Sequence, residues 1–295
     1  MAKSPFSHEN LGPWPRGMVI KDRRTEVPLD GLWDALNVDV RDDGTVATRP
    51  EWTQAMAASD CHSLFTLGGR VWGVVDGDLS ELDDTGATAL MAVDGPISWT
   101  SLNDEPVFAT RQEVYRIRDQ AVELLSDGSR DEQDMDDVLV PLPGGQWVDY
   151  WNGRLIVARG SSLLFSEPLR YGAHNPMTGY LRFGQRVEWV APLESGIFVG
   201  LPDRVLFLEG STPEQLAQRQ VAGRSAPGMA TVVHNELLGG SGPYRVALFF
   251  TQKGFAVGAP DGSVAYPQAE TMSGLPLHRG KLVVDGSRIY AVRGF

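Results

Sequence analysis

One cysteine, Cys61, is all that this chain of 295 residues contains. A single thiol excludes an intramolecular disulfide framework and a thiolate metal cluster, so stability has to come from a packed core. Clustered positive charge is equally scarce, with 26 Lys and Arg against 38 Asp and Glu and a net charge of −12. Sequence-specific nucleic-acid binding is not expected, because counterion release needs a basic face. The same charge is compatible with a surface that DNA slides past without sticking. No apolar run approaches the roughly 18 residues of a membrane-spanning helix, so no membrane insertion is expected. The opening MAKSPFSHENLGPWPRGM lacks an apolar h-region and does not read as a secretory leader. No Asn-x-Ser/Thr acceptor occurs. These features point to a protein made and folded in a reducing cytosol.

Chemistry-bearing motifs are missing as well. There is no G-x-S-x-G elbow, no Walker A loop and no H-E-x-x-H. The histidines His8, His62, His174, His234 and His278 are scattered, with no i, i+2 or i, i+4 pair to seat a metal. His62 adjoins Cys61, but neighbours in a strand point to opposite faces and cannot form a dyad. No catalytic residue, cofactor or metal site is assigned. The acidic stretch SDGSRDEQDMDD (126–137) reads as a solvated loop. Calcium there is the alternative, since hard oxygen ligands suit it, although EF-hand spacing is absent.

Gly (33) and Pro (19) are abundant and punctuate apolar bursts of about five residues. Strand–turn–strand–turn–strand units recur at 62–83, 97–119, 147–168, 188–210, 244–267 and 274–294. Asn152-Gly153 and Asp285-Gly286 are strong two-residue hairpin signals. The segments VWGVV, PVFAT, RLIVA, GIFVG, GFAVG and KLVVD align as middle strands with a spacing of about 42 residues, the period of a β-propeller. The expected fold is therefore all-β, a β-propeller of six blades, with seven as the second choice. The hairpin in ALNVDVRDDGTVATRPEW (35–52) would open a seventh blade or lend the strand that closes the ring. The final IYAVRGF reads as a strand and suits closure by the N- and C-terminal strands.

The expected domain organisation is an irregular N-terminal arm over 1–30 and a propeller over 31–295. The propeller carries a short helical insertion near 211–223. In STPEQLAQRQVAG, Ser211 or Thr212 caps the helix, Pro213 and Glu214 fit its first turn, and Gly223 ends it. Trp14 and Trp33, with Glu214, Gln215 and Gln218 on the expected helix, are the candidate interface residues.

The stretch VPLDGLWDALNVDVRDDGTVATRPEW resembles the opening of a family of tailed-bacteriophage virion proteins. That opening has the form A-x-N-V-D-[VIL]-x-x-x-G-x-[VP]-x-x-R-P-G-[WY]. Ala35, Asn37, Val38, Asp39, Gly44, Val46, Arg49, Pro50 and Trp52 match it, while Glu51 replaces the usual Gly. LLFSEPLRYGAHNPMTGYLRF (163–183) with APLESGIFVGLPDRVLFLEGSTPEQL is similar to the family's central blades. LFFTQKGFAVGAPDGSV resembles its late A-x-x-G-[IF]-x-V-G-x-P-D-G stretch. The resemblance covers most of the chain from about residue 25 and supplies no catalytic residues. It implies a propeller that is a structural, tail-associated part of the particle. Its expected partners are other tail or connector proteins and further copies of itself in a ring. The alternative is a receptor- or glycan-binding propeller at the tail tip. A propeller glycosidase, with carboxylates drawn from different blades, is a third reading, and the S-x-D-x-G-x-T-W boxes common in sialidase-like propellers are absent.

Overall fold

Runs such as Gly196–Gly200 (GIFVG) have no polar side chain to show to water and must be covered on both faces. Each of these five residues is buried. The computed structural model describes residues 19, 38–40, 45–48, 56–125, 139–272, 274–285 and 288–293. Strands β1 (Val38–Val40) and β2 (Val46–Thr48) pair as an antiparallel hairpin, as expected for that segment.

The first blade is β3 (Cys61–Leu67), β4 (Arg70–Val75), β5 (Asp78–Asp83) and β6 (Gly86–Ala92), paired in that order. The second is β7 (Ser98–Leu102), β8 (Glu105–Ala109), β9 (Val114–Arg118) and β10 (Ala121–Leu124). The third contains β11 (Val140–Pro141), β12 (Trp147–Trp151), β13 (Arg154–Arg159), β14 (Ser162–Glu167), β15 (Arg170–His174) and β16 (Tyr180–Arg182). Here β14 is shared by β15 and β16, and β11 returns to pair with β15. The fourth is β17 (Trp189–Leu193), β18 (Gly196–Gly200), β19 (Arg204–Glu209) and β20 (Ala217–Gly223). The fifth is β21 (Ser225–His234), β22 (Arg245–Thr251), β23 (Gly254–Gly258) and β24 (Val264–Ala265). A last hairpin, β25 (Gly280–Asp285) with β26 (Arg288–Arg293), follows.

The described residues thus form five blades of four or more strands, not six or seven. Hairpins β1–β2 and β25–β26 stand as separate two-stranded sheets among them. The expected helix over 211–223 is also corrected. Only Pro213–Gln215 makes a single 3-10 turn, and Ala217–Gly223 is the outer strand of the fourth blade. Helix propensity in Gln-Leu-Ala-Gln-Arg-Gln loses to the open edge of β19, whose backbone groups gain partners from β20. The expected arm lies mostly in residues outside the described set, as does the acidic loop 126–137 with its calcium alternative.

The middle strands also shift in one repeat. VWGVV, PVFAT, RLIVA and GIFVG lie in the second strands β4, β8, β13 and β18, but GFAVG is the third strand β23 and KLVVD belongs to the first strand β25. The second strand of the fifth blade is RVALFFT, whose innermost partner β21 went unread.

First strands β3, β7, β12, β17, β21 and β25 lie beside one another in that order. Indole N–H groups tie several of them together. Trp99 Nε1 donates to Ser63 O at 2.6 Å, Trp151 Nε1 to Leu193 O at 2.8 Å and Trp189 Nε1 to Ser225 Oγ at 2.9 Å. Each bond satisfies a polar group that burial would otherwise strand. The largest core runs through the third, fourth and fifth blades and includes Trp151, Phe165, Trp189, Phe198, Phe207 and Phe249.

Candidate functional site

Two places combine built geometry with charge or with the motifs that carry the resemblance. The first is the seam between the fourth and fifth blades. An ideal Cβ at Gly258 would stand 2.5 Å from Phe198 Cζ, and one at Gly262 would stand 2.3 Å from Phe207 Cδ1. Both contacts are closer than real Cβ atoms approach, so the two glycines exist to let the rings in. Gly262 also has φ +76, a left-handed turn conformation. Around them, Arg219 Nη2 donates to Asp261 O at 2.7 Å while its guanidinium lies 5.8 Å from the centre of the Phe207 ring. Ser195 Oγ donates to Pro260 O. The G-x-P-D-G turn of the fifth blade is therefore latched onto the fourth.

The second is the axis. Asp149 sits on β12, two residues from Trp147, and alternate residues of a strand share a side. Its Oδ1 accepts the Tyr150 N–H at 2.8 Å and the Thr100 hydroxyl of β7 at 3.2 Å. Lys281, at the start of β25, places Nζ 4.3 Å from the centre of the Trp147 ring. This contact joins the β25–β26 hairpin to β12 of the third blade. Burial pushes the Asp149 carboxyl up to about 6, although the Tyr150 N–H, the Thr100 hydroxyl and the Arg245 and Lys281 charges favour its ionised form. Burial likewise pulls the Lys281 ammonium down, against the opposing charge of Asp149. Surface area alone shows Asp149 half-buried and Lys281 exposed. Next to them, Arg245 pairs with Glu194 at 2.9 Å. Chemically, the cluster is a carboxyl held by two donors on the strand whose indole face also holds an ammonium.

Of the interface candidates, Glu214, Gln215 and Gln218 are exposed on the outer edge of the fourth blade, the first two in the 3-10 turn and Gln218 in β20. Trp14 and Trp33 lie outside the described residues. The axial residues Thr100, Trp147, Asp149 and Lys281 were not picked out from the sequence. The available signal was an acid inside the aromatic run WVDYW and a lysine heading the apolar run KLVV. Exposed apolar side chains collect on the third blade, where Leu169 is 74% and Met177 77% exposed. Leu169 also has φ +58, a region leucine rarely adopts. No group of three or more His, Cys, Asp or Glu suited to a metal occurs among the described residues. No helix there is long and apolar enough to cross a membrane.

Small antiparallel sheets whose first strands gather round a shared axis define a β-propeller. No protein family profile and no curated protein matches the chain. Among solved structures it is similar to the extracellular domain of a proposed hybrid two-component system from B. thetaiotaomicron, at 10% identity and a TM-score of 0.53 over 82% of this chain and 33% of that one. PorZ, a surface component of the type-IX secretion system of Porphyromonas gingivalis, matches at 13% identity and a TM-score of 0.45 over 88% of this chain and 33% of that one. The WD40 domain of Neurospora crassa Pan2 matches at 13% identity and a TM-score of 0.48 over 78% and 71% of the two chains. The chain spans about a third of the length of the first two. Identities this low carry the fold alone.

Proposed function

We propose that the chain is a structural component of a tailed-phage virion, an oligomeric propeller of the tail or head–tail region that acts in assembly and architecture. The observation that carries this reading is how the family-like residues are used. Gly258, Pro260, Asp261 and Gly262 of the late stretch, and Gly196 within the central one, are spent on blade packing and blade latching. Motifs that serve rigidity fit a protein whose rigid surface is its function. Its partners on this reading are other tail or connector proteins and further copies of the chain in a ring, and its location is the virion tail. The exposed Leu169 and Met177, within the segment similar to the family's central blades, offer apolar contact for such partners.

The same reading completes the ring. Hairpins β1–β2 and β25–β26 bring two strands each, so together they supply a sixth blade closed by the two ends of the chain. Cysteines placed singly on β1 and β26 in a Cys61→Ser background should then cross-link within one chain, and failure to do so argues for an open arrangement.

Imaging of particles labelled at the C-terminus of this protein tests the main reading. A ring of label at the tail or at its junction with the head is expected, and particles without label would refute it. A second reading, ligand binding at the tail tip, is favoured by a cleft of about 320 Å³ between the first two blades. Arg70, Glu105 and Arg118 line it beside Leu67, Trp72, Pro106 and Ile117, a mixed polar and apolar surround of the kind a glycan meets. Label confined to the distal tip, with glycan binding lost on Arg118→Ala, would select that reading.

A further inference from the structure

Asn152 and Gly153 form the turn between β12 and β13, with φ of 44° and 79°. Asn-Gly is also a dipeptide prone to losing its side-chain amide, because glycine has no Cβ to keep the following peptide nitrogen away from the asparagine Cγ. In this fold the groups that would react are already engaged. Asn152 Nδ2 donates to Glu194 O at 2.9 Å and to Ser211 O at 3.3 Å. Both acceptors belong to the fourth blade, Glu194 in the turn between β17 and β18 and Ser211 after β19. The Gly153 N–H, whose nitrogen would be the nucleophile, donates to Tyr150 Oη at 3.1 Å. Gly153 O accepts the Leu169 N–H at 2.8 Å, which fixes the turn from its other side.

We propose that Asn152-Gly153 is a deamidation site guarded by the seam between the third and fourth blades, and that its conversion to aspartate cuts a polar tie of that seam. The inference does not depend on the proposed function. In the reaction the Gly153 nitrogen gives up its proton and bonds to Asn152 Cγ, the Cγ–Nδ2 bond breaks, and the amide leaves as ammonia carrying that proton. Water then opens the succinimide ring to aspartate or isoaspartate, and Asn152 is exposed enough for water to reach it. Attack requires the Asn152 amide to turn away from both carbonyls and the Gly153 N–H to leave Tyr150, so the assembled seam opposes the first step. After conversion the ionised side chain can only accept hydrogen bonds. It then faces Glu194 O and Ser211 O, which also only accept, and the tie becomes a repulsion.

The test is to age the full chain in mildly alkaline buffer and follow the peptide holding Asn152 by mass spectrometry. The folded parent is expected to deamidate at least about ten-fold more slowly than the same chain unfolded in guanidinium chloride, since several hydrogen bonds must break before attack. Tyr150→Phe removes only the acceptor of the Gly153 N–H and should speed the folded reaction about five-fold, with near-ultraviolet circular dichroism showing that the variant is folded. Asn152→Asp, purified as such, stands for the aspartate product. Its readout is hydrogen exchange at Gly210, whose N–H donates to Ser195 O beside Glu194 at 3.0 Å. Exchange there should quicken about ten-fold, while the first and second blades exchange as in the parent. Equal deamidation rates in the folded and unfolded parent, or a parental rate in folded Tyr150→Phe, would overturn the guarding. Unchanged exchange at Gly210 in Asn152→Asp, or an equal rise in every blade, would overturn the cutting of the seam.

Discussion

Gly258→Ala is the sharpest test of the seam. The added methyl would lie 2.5 Å from Phe198 Cζ and 2.9 Å from Cε1 and Cε2, where ordinary contact is about 3.4–4 Å. Phe198 is fully buried and hemmed in by Phe207, with centroids 4.8 Å apart, and by Phe249 at 6.0 Å. The ring therefore cannot swing aside without moving a second aromatic. Gly258 is not in the left-handed region, so alanine meets no backbone penalty there and the cost is steric. Overpacking of this kind typically costs about 1–3 kcal/mol, partly offset by about 0.4–1 kcal/mol of lost unfolded-state entropy. At roughly 2–4 °C per kcal/mol for a chain approaching this size, Tm should fall by several degrees. Urea unfolding followed by tryptophan fluorescence measures the loss, with Gly184→Ala, which faces open space, as a control within about 0.5 kcal/mol of the parent. Trimming the ring in Gly258→Ala/Phe198→Leu should recover part of the loss, a coupling of about 1 kcal/mol or more. Parental stability in the single variant, or strict additivity in the double, would refute the interlocked seam.

Gly200→Ala should be at least as damaging, because its methyl would stand 2.1 Å from Trp189 Cε2 and displace an indole that donates to Ser225. Calorimetric Tm checks it, and a change under a degree contradicts the packing described. Trp151→Phe leaves Leu193 O without its 2.8 Å donor and should cost about 1–3 kcal/mol in denaturant titration. Glu81→Gln probes a bidentate pair in which Arg70 holds the Glu81 carboxyl below its ordinary range. A lowered carboxylate pKa stabilises above the ordinary range and is lost in acid. The variant should therefore be less stable than the parent by up to about 1 kcal/mol at neutral pH, with the gap closing below the carboxylate range. A gap that persists in acid would remove the ion pair as its cause.

The sequence by itself determined what local chemistry controls. Asn152-Gly153 marked a hairpin because both positions adopt positive φ, 44° and 79° in the structure. Short apolar runs bounded by such turns read as strands, and their recurrence pointed to a propeller. Local chemistry did not decide partner choice. Ser211-Thr212-Pro213-Glu214 carries sound helix-start signals, yet β19 had an edge to cover, so the following residues joined it as β20. The register of the fifth repeat was misjudged for the same reason: RVALFFT and GFAVG are both apolar strands, and only their neighbours tell second from third. The blade count, too, is a property of closure rather than of any single repeat. The axial cluster lies further still from the sequence, since Thr100, Asp149 and Lys281 are separated by tens of residues or more and belong to three separate sheets. Their charges are unremarkable one by one. Contacts between β7, β12 and β25 bring them together, and only the assembled tertiary structure supplies those contacts.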